Sequence, residues 1–173
     1  FPGFRVLKGV EADILADGAL DYGAAVLDRF DFVIGSIHSR FGMSADEMTA
    51  RILRAMDDPH LTILGHPTGR LLLSRDPYPL DLERVLVKAA ERGIAVEVNA
   101  DPHRLDLDWR AVRHARDLGV MISIGADAHS VNGMAHVGVG VGIARKGWLA
   151  APQVLNTRSA DDFLAFARAR RPA

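Results

Sequence analysis

The chain has 173 residues, a formal net charge of −1 and 49% hydrophobic residues, so it can bury the core of one domain and is no strongly basic nucleic-acid module. Cysteine is absent, which excludes disulfides, thiolate metal ligands and cysteine nucleophiles and is compatible with a cytoplasmic location. No signal peptide and no apolar run of membrane-spanning length is present.

After an abrupt Phe1-Pro2-Gly3, residues Phe4–Ile14 read as a strand with Glu11 and Asp13 on one face, and Asp17-Gly18 as a turn. Residues 20–29 read as a helix, and Phe32–Ile37 as a buried strand ending at His38-Ser39. Ser44 and Glu47 form a capping box for a helix that carries Met48, Ile52, Leu53 and Met56 and stops near Asp57-Asp58-Pro59. Leu61–Leu64 is a strand running into Gly65-His66-Pro67-Thr68-Gly69. A loop with Arg70, Arg75, Pro77 and Pro79 follows, then a helix from about Leu80 to Arg92 closed by Gly93. Ile94–Asn99 is a strand, Asp108–Leu118 a helix closed by Gly119, and Met121–Gly125 a strand that continues into Asp127-Ala128-His129. A loop and helix cover about Met134–Lys146, Val154-Leu155 is a short strand, and Ala160–Arg170 is the last helix.

Apolar strands alternating with helices mean a parallel sheet covered by helices, and the absence of Gly-x-Gly-x-x-Gly after a strand favours a barrel-like α/β fold over a dinucleotide-binding sheet. Glu11, His38, His66, Asn99, Asp127 and His129 all fall at or beyond strand C-terminal ends, where such barrels build active sites. A lone histidine there is ordinarily a satisfied structural residue. Glu11, His38, His66, Asp127 and His129 together supply only nitrogen and oxygen ligands, which suits Zn²⁺, Mn²⁺ or Fe²⁺. If the chain stays extended past Gly125, Asp127 and His129 point to one side. No Gly-x-Ser-x-Gly elbow or phosphate-binding loop competes for the role.

Other polar residues have two readings each. Glu97 and Asn99 either orient metal ligands or form a hydrogen-bonded interior pair. Arg70 and Arg75, and Arg40 beside His38, either clamp a substrate phosphate or make surface ion pairs. His60 suits a helix end, His114 an exposed helix face, His136 a structural position in preference to the surroundings of the site, and His103 is ambiguous. The run Arg168-Ala169-Arg170-Arg171 reads as a solvated helix end, so DNA contact requires a local patch or another domain.

At GVEADI, SIHS, GHPTGR and GADAH the chain resembles the PHP (polymerase and histidinol phosphatase) family. ADGALDY, MTARILRAM, HPTGRLLLSRDPYPLD, EVNADPHRLDL and VGVGIARKGWL…VLNT make it most similar to the C-terminal PHP domain of family X DNA polymerases, from Phe4 to the end. The resemblance implies a distorted seven-stranded βα barrel with a trinuclear metal centre. Glu11 would bridge two ions, His38 and His66 would complete one of those sites, and Asp127 and His129 would each serve a further one. It also implies phosphoester hydrolysis, with a Mn²⁺-dependent 3′–5′ exonuclease linked to DNA repair in the polymerase setting.

The family's opening His-x-His is absent, so residues 1–173 are expected to be the latter part of one PHP domain, lacking about two strands and most of two metal sites. Asp101 stands where the family usually has Asn. DNA through the full-length protein, upstream polymerase and PHP segments, and Mg²⁺ for the polymerase portion are the implied partners. The competing readings are a free-standing phosphatase acting on a small phosphomonoester and a non-catalytic, metal-stabilised domain.

Overall fold

A computed structural model describes residues 3–171, so the opening Phe1-Pro2 lies outside the described residues. Five parallel strands form one sheet in sequential order: β1 (Gly9–Asp13), β2 (Phe32–Ser36), β3 (Leu61–Leu64), β4 (Ala95–Asn99) and β5 (Ile122–Gly125). Six helices alternate with or follow them: α1 (Ala24–Leu27), α2 (Ala45–Ala55), α3 (Leu82–Arg92), α4 (Trp109–Asp117), α5 (Val137–Lys146) and α6 (Ala160–Arg168). This is the expected α/β alternation, in five strands.

All the pairings are parallel, so every strand C-terminus emerges at the same edge of the sheet. Glu11 pairs in register with Ile34, Ile63 with Ala95 and Val98 with Ile124. Buried Val33, Leu61, Val96, Val98 and Ile122 of the strands pack with Ile52, Leu86 and Val112 of the helices. The capping box appears as predicted, with the Ser44 hydroxyl accepting from the Glu47 amide and Glu47 accepting from Ser44. Gly93 adopts a left-handed conformation (φ 64°) that a residue with a Cβ resists, and it ends α3.

Three predicted elements differ. β1 begins at Gly9, because β2 offers a partner only from Phe32 onward; Lys8 is instead tied to Asp31 by paired hydrogen bonds of 2.7 and 2.8 Å. The helix expected over 20–29 shrinks to Ala24–Leu27, since Leu20 bridges Ile14 and the Asp21 amide donates to Asp13 O. Val154 makes only an isolated bridge to Ile122, between 3-10 turns at Ala151–Gln153 and Leu155–Thr157.

One buried cation braces the rim. Arg51 of α2 is 2% exposed, and its guanidinium donates to Ile14 O, Leu15 O (2.8 Å) and Ser39 O (3.0 Å). It thereby fastens the segment after β1 to the segment after β2. Arg51→Met should destabilise the fold by about 2–4 kcal/mol, because buried carbonyls left without donors cost about 1–3 kcal/mol each. Chemical denaturation of the two proteins measures this, and an unchanged midpoint would mean that water replaces the guanidinium.

Candidate metal centre

Glu11 lies within β1, His38 two residues past β2 and His66 two residues past β3. Adjacent parallel strands carry these three side chains to one point. His66 Nε2 is 3.1 Å from Glu11 Oε1, His38 Nε2 is 3.4 Å from the same oxygen, and the two imidazole nitrogens are 3.3 Å apart. An ion held tetrahedrally at about 2.0–2.1 Å requires ligand atoms about 3.3–3.4 Å apart. The triangle matches one face of such a site, and both residue types are ordinary zinc, manganese or iron ligands.

The supporting contacts fix each group. Asp13, two residues beyond Glu11 on the same strand face, accepts from His38 Nδ1 at 2.6 Å, which leaves Nε2 free to ligate. His66 is 2% exposed with φ of 23°, and its amide donates to Glu97 Oε2 at 2.7 Å. Glu97 itself is wedged against β5, where a Cβ on Gly125 would come within 2.1 Å of Glu97 Oε1. The 66–69 loop is further held by buried Asp106, which accepts from the Thr68 amide at 2.9 Å.

Electrostatics follow from these neighbours. The Glu11 carboxyl is held well below the usual range, first by the His38 hydrogen bond and then by His66. His38 is raised to about 9, chiefly by Glu11, with Asp13 adding to it against the cost of burial. Burial pushes the Glu97 carboxyl up to about 7, opposed by the His66 amide.

The remaining predicted site residues divide. Asp127 lines a cavity of about 320 Å³ together with Glu11, His66, Glu97 and Asn99. Asn99 Nδ2 donates to Asp127 Oδ2 at 3.0 Å and Arg104 Nε sits 3.3 Å from that oxygen. The chain does not stay extended here: Asp127 has φ of 48°, so His129 turns to solvent with its side chain 86% exposed. Arg70 donates through Nε to Arg104 O at 2.9 Å, and Arg75 donates to Gly69 O at 2.7 and 2.9 Å while lying over the Phe41 ring. Both guanidinium groups thus brace loops, on a depression separate from the metal cavity. His60 is buried between Asp58 and Asp28, and exposed His114 pairs with Glu83. Sequence reasoning misses Asp13 and Arg104 as site residues; for Asp13 the available signal is its shared strand face with Glu11.

No family model matches the chain. It is 43% identical over 166 residues to the DNA polymerase/3′-5′ exonuclease PolX of Bacillus subtilis strain 168, covering 96% of this chain and 29% of that protein. It is 32% identical over 172 residues to a protein named probable phosphatase from Aliivibrio fischeri strain MJ11, covering 93% of this chain and 66% of the relative. A protein of the same name from Thermoanaerobacter sp. strain X514 is 32% identical over 137 residues, 73% of this chain and 54% of its own length. The chain thus spans less than two thirds of the length of these relatives.

Three outcomes are expected. An incoming ion must displace the His38 proton, so metal affinity should rise about tenfold per pH unit up to about pH 9 and then level off. Glu11, already ionised, adds no slope above pH 4.5. Conversely, raised His38 stabilises the metal-free fold fully below 6.5 and loses that contribution as pH climbs through 9, whereas depressed Glu11 contributes above 4.5 and loses it on acidification. Titration calorimetry across this range checks the slope; a pH-independent affinity would remove His38 from the ligand set. Asp13→Asn should weaken metal binding by roughly 10–100-fold with little loss of fold, as for other groups that orient a ligating imidazole.

Proposed function

This chain belongs to the PHP family, and on that footing we propose that it forms part of a metal-dependent phosphoesterase that processes DNA 3′ ends within a family X DNA polymerase. The observation that carries the reading is the Glu11–His38–His66 triangle, built from β1 and the segments after β2 and β3, in a chain 43% identical to a relative named as polymerase and 3′-5′ exonuclease. The wider expectations belong to the same reading: a seven-stranded barrel, one PHP domain across residues 1–173, and a role in repair synthesis.

Glu11, His38 and His66 would hold one divalent ion, Zn²⁺, Mn²⁺ or Fe²⁺. Asp127 and His129 would serve further ions with ligands from outside this sequence. The chemistry a bound ion supplies is a hydroxide at neutral pH, from water whose pKa falls to roughly 7, and charge stabilisation at the phosphoryl oxygens. The protein's own groups do the positioning. Asp13 holds the His38 ring, Glu97 and the buried 66–69 loop hold His66, and Asn99 fixes the Asp127 carboxylate toward the cavity. Arg70 and Arg75 would contribute to phosphate binding by shaping the loop that borders the site.

A second reading is a phosphatase for a small phosphomonoester, favoured by the match to the Aliivibrio protein over 93% of this chain. Release of nucleotide from a single-stranded oligonucleotide with a free 3′ end, set beside release of phosphate from a small monoester, separates the two. In the protein extended upstream, Mn²⁺-dependent 3′–5′ degradation should be the stronger activity, and His66→Ala should reduce it by 100-fold or more. This chain alone should bind about one ion and hydrolyse little of either substrate. Robust hydrolysis of the monoester alone would favour the second reading, and metal binding without turnover in the extended protein would leave a non-catalytic, metal-stabilised domain.

A further inference from the structure

Both tryptophans of the chain lie on one surface, where α4 packs against the end of α5. Arg113 of α4 sits 4.0 Å over the Trp148 ring, with Arg116 at 6.0 Å; Arg110 sits 4.7 Å and Lys146 5.1 Å from the Trp109 ring. The four cations face two nearby carboxylates, Asp108 at the α4 N-cap and Asp117 paired with Arg116. Among the described residues Arg113 and Lys146 have no carboxylate within 4.0 Å. A chain of net charge −1 therefore carries a local positive surface interleaved with flat rings.

Trp148 is the unusual member. It is 63% exposed, so Arg113 covers one side of the ring while the rest faces solvent. It also holds a left-handed backbone, φ 61°, a conformation bulky residues resist. Its carbonyl accepts from Arg116 at 3.3 Å and its amide donates to Arg145 O at 3.0 Å. A strained backbone that displays a large apolar ring to water gains nothing for the core.

The element that carries this surface is tied through the backbone to the floor of the metal cavity. α4 starts three residues after Asp106, whose backbone exchanges hydrogen bonds of 2.5 and 3.2 Å with Asn99, the residue that holds Asp127. From that edge α4 runs back along the outside of the sheet.

We infer that Trp109, Trp148, Arg110, Arg113, Arg116 and Lys146 form a docking track for single-stranded nucleic acid. Bases stack on the open side of the Trp148 ring, with half-buried Trp109 holding Arg110 and Lys146 beside it, guanidinium and ammonium groups meet the phosphates, and unstacked bases are available only in a single strand. An acidic protein would use the cations but has little need of two flat rings. A duplex would use the charges without the rings. The inference rests on the phosphodiesterase reading for its choice of polymer, and the test omits divalent metal so that binding and hydrolysis can fail separately.

The experiment is fluorescence anisotropy of a labelled oligothymidylate in EDTA, titrated with the 173-residue chain and its variants at several salt concentrations, with folding checked by circular dichroism. Trp148→Leu should weaken binding at least fivefold and Trp148→Phe should restore most of it. Arg113→Ala with Lys146→Ala should weaken it at least tenfold and flatten the log K against log salt slope by about 1.4, at about 0.7 for each phosphate no longer neutralised. Unlabelled duplex and heparin should compete poorly. Absence of binding, equal binding by Trp148→Leu, or duplex or heparin competing as well as the single strand would overturn the proposal. So would self-association abolished by Trp148→Leu without oligonucleotide binding, which would make this face a protein interface.

Discussion

A carboxylate shared by two imidazoles is the interaction around which this molecule is arranged. Glu11 Oε1 lies 3.1 Å from His66 and 3.4 Å from His38, and each partner comes from a different strand end. His66 is buried with its amide committed to Glu97, so the centre is tied directly into the interior of the sheet. Without an ion, the arrangement is kept neutral by a proton on His38, held there by Glu11 and Asp13. A bound ion would take the same three atoms as ligands and require the His38 proton to leave. The spacing of these three atoms in the metal-free fold already matches one face of a tetrahedral site.

Parallel pairing is what makes the convergence possible. Strands in register from Gly9–Phe32 onward deliver successive C-terminal ends to one edge, and side chains there need only short loops to meet. The buried braces lie behind this edge: Arg51 ties the segments after β1 and β2, Asp106 holds the loop after β3, and Asn99 holds Asp127. Each brace is a buried polar group bonded to backbone or carboxylate, and only Asp106 keeps one oxygen, Oδ1, without a partner among the described residues.

The alternation of strands and helices was legible because apolar runs of strand length and capped amphipathic helices are local signals. Boundaries failed where pairing, not propensity, decides: Phe4–Lys8 are apolar enough for a strand but have no partner in register, and Tyr22-Gly23 interrupts a helical pattern. Of the predicted ligands, Glu11, His38 and His66 meet, whereas His129 turns outward because Asp127 takes a left-handed backbone that period-two alternation does not anticipate. The aromatic and basic surface was hidden because its parts, residues 109–116 and 146–148, are far apart in sequence and form no charge run. Arginines in a loop looked like phosphate clamps because sequence carries no information about which carbonyls they face.

On this reading one divalent ion would be held by side chains wholly within this chain. X-ray absorption spectroscopy of the zinc-loaded chain, paired with anomalous diffraction, tests it most directly. The expected result is one ion bonded to Glu11 Oε1, His38 Nε2 and His66 Nε2 at about 2.0–2.2 Å, with water completing the shell. An ion bound elsewhere, or a shell with no imidazole at that distance, would contradict it.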